Sequence, residues 1–357
     1  MVWTIADPFM CDYMPKYVDK YGFKLIMHVP VDGAPLPDHW APGLQGADRV
    51  VAVTEYGTRA LEPLIGRRED FIYHGVDTQV FTPMSRETRR EKRPEEAGMT
   101  RDTFVFGFVG HSQWRKQNWN MFMLTRYLLD GAWAKCLGCH RIIPDPLDDI
   151  YVRPAKPKEY QRCPHCQANT ERGTPRNVAL WYHTFERANV EFVPTRLKNL
   201  WGLDGHVIFS SDMKADSGLR DAEMPYLFKM FDAYLALSGG EGFCIPIVEA
   251  YASGVPVLYT DYSGHAEVGA FAGRAVDFCC LQPNTVEPVH RAIVDMGSAI
   301  KEALILIDDR EVYDNHVTAG LKAAREVFSW DLVAKQWSDF IHENAAERKF
   351  KGVGYSL

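Results

Sequence analysis

Short apolar runs rich in β-branched and aromatic residues recur along this chain, each closed by turn residues and followed by a stretch compatible with a helix. They fall at residues 24–29, 49–54, 103–109, 178–182, 206–209, 232–237, 256–259 and 274–278. Runs of this length without polar alternation suit strands buried on both faces, and their alternation with helices predicts an α/β fold built on doubly wound parallel sheets. Apolar residues at helical spacing continue after the 103–109 run to about residue 129. They recur over 329–341, behind Ser329 as a candidate N-cap. The charge-dense stretch 85–100 interrupts the pattern and reads as a linker or surface loop.

The run ending at Leu237 is followed by Ser238, Gly239, Gly240, Glu241 and Gly242, which let the backbone come close to a ligand. Pro246 suits the first turn of a helix, and Gly254 and Pro256 end it, so a helix is predicted over about 244–253. The amides at its start, with the positive end of its dipole, attract phosphate. Glu241 and Glu249 would be repelled by a diphosphate. They suit hydroxyl groups better, with separate cations on the phosphates.

The pattern Ser238-x-x-Glu241-Gly-Phe-x-x-Pro246-x-x-Glu249-Ala-x-Ala-x-Gly254-x-Pro-Val257 resembles the Glu-x7-Glu motif of retaining glycosyltransferases with the GT-B fold, family 4. The resemblance implies two Rossmann-like domains and transfer of a hexose from a nucleoside diphosphate sugar with retention and without a catalytic metal. Glu241 would contact the transferred sugar, Glu249 the ribose, and the amides of Phe243, Cys244 and Ile245, beside Gly242, the sugar or phosphate. The turn from Gly110 to Gln117 presents Arg115 and Lys116 to the diphosphate, with His111 where such enzymes often carry an arginine. His28, at the end of its strand, stands where the family often has a histidine near the donor sugar.

Similar enzymes carry Gly-Val-Asp and Phe-x-Pro at the junction of their domains, matched here by Gly75-Val76-Asp77 and Phe81-Thr82-Pro83. The implied organisation is an acceptor-side domain over 1–83, a donor domain over 84–328 and a last helix, within 329–357, crossing back to the first domain. The junction comes early for the family, so the first domain is expected to be incomplete. The chain would be a fragment, or a partner chain would complete the domain.

With 357 residues and 46% apolar content, the chain can bury one large or two medium cores. The net charge of -7 gives no global attraction to nucleic acid or anionic membrane. No run approaches the roughly 20 apolar residues of a membrane span, and a cytoplasmic location is expected.

Eight cysteines include Cys136-x-x-Cys139 and Cys163-x-x-Cys166, the spacing of a zinc ribbon inserted over about 132–172. Four thiolates leave no open coordination position, so a structural Zn2+ is expected, with His140 and His165 as reserve ligands. The insertion carries Lys135, Arg141, Arg153, Lys156, Lys158, Arg162 and Arg172, and Asp148-Asp149 reads as plain loop. Its basic residues leave open docking to an acceptor, a partner or nucleic acid. The competing functions are a non-catalytic nucleotide-sugar binding protein and a zinc-ribbon, nucleic-acid-associated (DNA-modifying) transferase. The acceptor (glycan, lipid, protein or nucleic acid) is not specified by the sequence.

Overall fold

The structure, a computed structural model, describes residues 1–10, 12–93, 99–146, 162–184, 193–210, 223–284 and 289–344. Two parallel sheets organise it. The first has the order β1 (Val2–Ile5), β2 (Leu25–Val29), β3 (Arg49–Ala52). It is flanked by α1 (Met14–Tyr21), α2 (Ala41–Gln45) and α3 (Glu55–Ile65). Every residue of β2 is buried, as the central strand of a layer covered on both faces requires. Thr54 caps α3, its hydroxyl accepting from the Gly57 amide. β1 is an edge strand whose Trp3 and Ile5 stay half exposed.

The second half begins with α4 (Arg86–Glu91) and β4 (Phe104–Val109), followed by α5 (Trp119–Asp130). Next come three short antiparallel strands, β5 (Trp133–Cys136), β6 (Ile142–Pro144) and β7 (Thr170–Arg172), in the order β6-β5-β7. The parallel pattern resumes with β8 (Val178–His183), α6 (Pro194–Leu200), β9 (Val207–Phe209), α7 (Met224–Phe228) and β10 (Ala233–Ala236). It continues through α8 (Ile245–Ala252), β11 (Val257–Thr260), α9 (Ser263–Gly269) and β12 (Arg274–Val276). A hairpin, β13 (Phe278–Pro283) and β14 (His290–Val294), then leads into α10 (Met296–Asp308), α11 (Arg310–Glu326) and α12 (Trp330–Asn344).

The large sheet runs β12-β11-β10-β4-β8-β9, all parallel. Phe104, Phe106 and Phe108 of β4 are buried against α5, β8 and their neighbours, each contributing roughly 1.5–3 kcal/mol. From β4 the chain builds outward to β8 and β9, and from β10 outward to β11 and β12. The strand order therefore reverses between β4 and β10, and a crevice opens beyond their carboxyl ends.

The chain leaves the first half at Val76 and returns at Ser329, and these residues form a parallel bridge. The Val76 amide donates to Phe328 O at 2.7 Å, and the Trp330 amide to Val76 O at 3.2 Å. Beyond that point α12 lays Val333, Trp337 and Phe340 against Ile26, Val51 and Ile72 of the first half.

Two expectations are corrected. The stretch 85–100 is not simply a solvated linker: its described part forms α4, capped by Ser85, and buries two arginines, while 94–98 lie outside the described residues. Arg89 is fully buried and donates to Met84 O, Phe231 O, Ser253 O and Gly254 O, four backbone carbonyls gathered from three parts of the chain. The run 274–278 is not one strand. β12 ends at Val276, and Phe278 opens a separate hairpin in which β13 pairs antiparallel with β14.

Candidate functional site

The crevice is built from three turns. After β4, the segment from Gly110 to Gln117 includes a short 3-10 turn at Trp114–Lys116. After β10, residues 238–244 lead into α8, whose N-cap Cys244 holds a left-handed φ of 71°. That conformation is costly for a residue with a Cβ and is typical of functional turns. After β2, Pro30, Val31 and Asp32 reach across from the first half. The approach is close: a Cβ on Gly240 would lie 2.1 Å from Asp32 O, and one on Gly242 2.7 Å from Pro30 Cβ, so only glycine fits at either position.

Glu241 lies at the centre, 5% exposed. Its Oε1 accepts from Ser238 Oγ at 2.9 Å and pairs with Lys116 Nζ at 2.8 Å, while Oε2 pairs with the Arg115 guanidinium. Its backbone is tied to Ser263, whose hydroxyl accepts from the Glu241 amide and donates to the Glu241 carbonyl. Burial alone would push this carboxyl's pKa up. The charges of Arg115 and Lys116 outweigh it and hold the group ionised, well below the usual carboxylate range. Arg115 also reaches Asp32 at 3.5 Å, and Asp32 pairs with Arg291 of β14 at 3.0 Å. The cluster thus alternates in sign from the first half through the crevice to the hairpin.

In front of Arg115 a cavity of about 890 Å³ opens between the halves. Its lining includes Asp32, His111, Arg115, Gln117 and Arg291. Glu241 stands behind Arg115, outside that lining, and Glu249 is half buried on the second turn of α8. The structure therefore brings Arg115, Lys116, Glu241 and the turn from Gly242 to Ile245 together. It sets Glu249 apart from the cavity wall.

His28 is also set apart. It is 1% exposed, bonded through Nε2 to Ile72 O at 3.2 Å, and enclosed by Trp337, His74 and Trp3 at centroid distances of 4.7, 5.3 and 6.3 Å. His74 in turn meets Phe243 edge-on at 5.1 Å. Burial and the nearby His74 pull the His28 pKa down to about 3, against the bond to Ile72, and burial brings His74 to about 4. His265, buried beside Glu241, is brought to about 4 by burial, against the pull of that carboxylate.

These three pKa values lie below that of an unfolded histidine, so the unfolded chain binds protons first. Stability is therefore expected to be full above pH 6.5 and to fall as pH drops from 6.5 toward 4. Each histidine should cost on the order of 1–2 kcal/mol by pH 5. Urea unfolding at pH 7.5 and 5 checks this; equal midpoints would mean the rings are not held neutral.

The inserted strands carry a second cluster. The four sulfurs of Cys136, Cys139, Cys163 and Cys166 lie within 4.8 Å of one another, with Cys136–Cys166 at 3.4 Å and Cys139–Cys163 at 3.8 Å. Four ligands about 2.3 Å from one zinc require sulfur–sulfur separations of about 3.8 Å, so the set fits that ion. The amides of Gly138 and Cys139 donate to Cys136 Sγ, and that of His165 to Cys163 Sγ, as suits thiolates. The group that one ion would span consists of the four cysteines; His165 instead meets Arg141, at 3.2 Å. Asp148, Asp149, Arg153, Lys156 and Lys158 lie outside the described residues.

Asp32, Arg291 and Ser263 escape sequence reasoning because their roles depend on partners distant in the chain. The signal that was present is Asp32's position, directly after an apolar strand end and Pro30.

Comparison with known proteins gives a family match over part of the chain, and a fold. Residues 216–285 match the family described as glycosyl transferases group 1. No curated protein matches. Among solved structures, Anabaena Alr3699/HepE in complex with UDP-glucose is 15% identical, with 96% of this chain and 78% of that chain covered and a TM-score of 0.66. Sucrose-phosphate synthase from Thermosynechococcus elongatus is 14% identical, covering 97% and 74%, with a TM-score of 0.67. The α,α-trehalose 6-phosphate synthase from Burkholderia multivorans is 12% identical, covering 97% and 72%, with a TM-score of 0.61. The fold class is α/β with parallel sheets in the GT-B arrangement. No helix among the described residues is long and apolar enough to cross a membrane.

Proposed function

We propose that this protein is a retaining hexosyltransferase that uses a nucleoside diphosphate sugar, with Arg115 and Lys116, rather than a catalytic metal, holding the donor diphosphate. The observation that carries the reading is the Arg115–Glu241–Lys116 cluster at the point where the sheet order reverses. In it, two cations neutralise a buried carboxylate. An arriving diphosphate competes for both cations. Arg115 and Lys116 turn to the phosphate oxygens, and the released Glu241 oxygens accept from sugar hydroxyls. α8 begins at Ile245, four residues after Glu241, so its leading amides follow the same turn, with Glu249 one turn further for the ribose.

In the reaction the bond from the sugar's anomeric carbon to the phosphate oxygen breaks, and its electron pair stays on the phosphate. The acceptor hydroxyl oxygen forms the new bond on the same face, and its proton passes to the departing phosphate. The growing charge is met by Arg115 and Lys116, a stabilisation that is larger in the transition state than in the ground state. His28 acts as a positioning residue, through His74, on the Phe243 turn.

HepE's complex with UDP-glucose makes that donor the first to test. Incubation with a panel of nucleoside diphosphate sugars is expected to give donor hydrolysis, or transfer to added acceptors, without added divalent metal. No binding and no turnover across the panel would reject the reading. Tight binding without turnover, even with acceptors from cell extract, would leave a nucleotide-sugar binding protein.

The four cysteines are assigned a structural zinc, which would hold the turns of the inserted strands together. Metal analysis of the purified protein is expected to give one zinc per chain, and little or none after Cys136→Ser with Cys163→Ser. Metal-free wild-type protein with unchanged proteolysis of the insertion would remove the assignment.

A further inference from the structure

The cavity in front of Arg115 is lined from both halves, and its chemistry differs from that of the cluster behind it. The first half contributes Asp7 and the pair Phe9–Trp40, with ring centroids 5.7 Å apart. The second contributes Gln113, Asn284 and the pair Trp114–Trp119, with centroids 5.1 Å apart. Trp114 is 50% exposed and Phe9 46%, although each has an aromatic partner beside it. Large rings left open to water in the wall of a cavity are costly unless something covers them.

Charge narrows what that something is. The two cations of the lining, Arg115 and Arg291, are already paired with Asp32 at 3.5 and 3.0 Å, and Arg115 with Glu241 as well. His111 is kept toward its neutral form by burial and by the neighbouring Lys116 and Arg115. With Asp7 and Asp32 against Arg115 and Arg291, the formal charges of the wall cancel. Once a donor diphosphate has taken Arg115, the wall keeps Asp7 and Asp32 against Arg291 alone and offers little attraction to a second anion such as a phosphorylated lipid or a nucleic acid, whose binding needs unneutralised cations. It suits a neutral molecule with apolar faces and many hydroxyls: ring faces pack on the tryptophans, while the flat carboxylate and amide groups bond adjacent hydroxyls. The volume lies within the range of about 300–1,000 Å³ that holds drug-sized ligands, enough for several sugar rings.

We infer that this cavity binds a neutral oligosaccharide, stacked on Trp114 from the second half and Trp40 from the first, and that this saccharide is the acceptor. The word acceptor rests on the proposed transferase reading; the carbohydrate site stands on the cavity alone.

The test uses the full chain on an immobilised array of neutral gluco-, manno-, galacto- and N-acetylglucosamine oligosaccharides, with uronic acid oligomers as the charged comparison. UDP-glucose binding is followed separately by calorimetry. Retention of at least one neutral series is expected, weakened about tenfold or more in Trp114→Ala and in Trp40→Ala. Trp114→Phe should keep most of the binding, and donor affinity should be unchanged in Trp40→Ala, which lies on the other half. Failure to retain any neutral series, preference for the acidic oligomers, or retention unaffected by both alanine substitutions would overturn the inference. Loss of donor binding with saccharide binding intact would remove the transferase reading and leave this site standing.

Discussion

Glu241→Gln is expected to lower donor turnover roughly 10²–10³-fold while the protein stays folded. The carboxylate can accept two or more hydrogen bonds from sugar hydroxyls once the diphosphate draws Arg115 and Lys116 away. The amide has the same shape but offers one accepting oxygen and turns two donors toward those hydroxyls. The charge also matters before the donor arrives. Without it Arg115 and Lys116 face each other across a buried site, so donor binding by the variant should weaken less than turnover, or even strengthen. Initial rates of donor hydrolysis against donor concentration separate the two effects. A fall in kcat with little change in KM places the interaction in the transition state, whereas unaltered turnover would reject Glu241's role.

Asp232→Ala should produce the largest loss of stability, about 3–5 kcal/mol. Asp232 is fully buried at the amino end of β10. Its Oδ2 accepts from Arg93 at 2.6 Å and from the Val105 amide at 2.8 Å, with Arg86 and Arg90 each 3.6 Å from Oδ1. Removing the carboxylate leaves the buried guanidinium of Arg93 without its counter-charge and the Val105 amide without an acceptor. Arg90→Ala, which removes a more exposed and more distant partner, should cost no more than about 1 kcal/mol. Urea unfolding followed by tryptophan fluorescence compares the two. Because β10 carries Asp232 at one end and the Glu241 turn at the other, turnover per folded molecule should survive in both variants. Equal midpoints for the two variants would mean that Asp232 is not the anchor of the arginine group.

The sequence made the frame of the large sheet legible because its central strands are buried on both faces and appear as unbroken apolar runs. The Glu241 turn was legible for a different reason: its glycines, Pro246 and acids occur in an order that few folds tolerate. What stayed hidden depends on partners distant in the chain. The arginine-rich stretch around Arg89 looks solvated, because nothing local reveals that Phe231, Ser253 and Gly254 will bring their carbonyls to it. β13 is exposed along most of its length, so its Cys279, Cys280 and Leu281 carry no periodic signal. His28 sits at the strand end where a reactive group was expected. The helix that closes over it, α12, supplies Trp337 from more than three hundred residues away and encloses that position among aromatic rings.

The bridge between Val76 and Ser329 determines how the crevice can open. Both passages of the chain between the halves run side by side there, stitched by two backbone hydrogen bonds. Sliding one half past the other would tear that seam, whereas swinging about it leaves the bonds intact. The molecule can therefore open like a clamshell about that seam, provided the bonds from the Glu55 and Tyr56 amides to Glu267 part with it. One swing would lift the Pro30–Asp32 arm from Gly240 and Gly242, draw Asp32 from Arg115 and part Trp40 from Trp114. The crevice at Glu241 and the cavity in front of Arg115 would then open through one and the same movement.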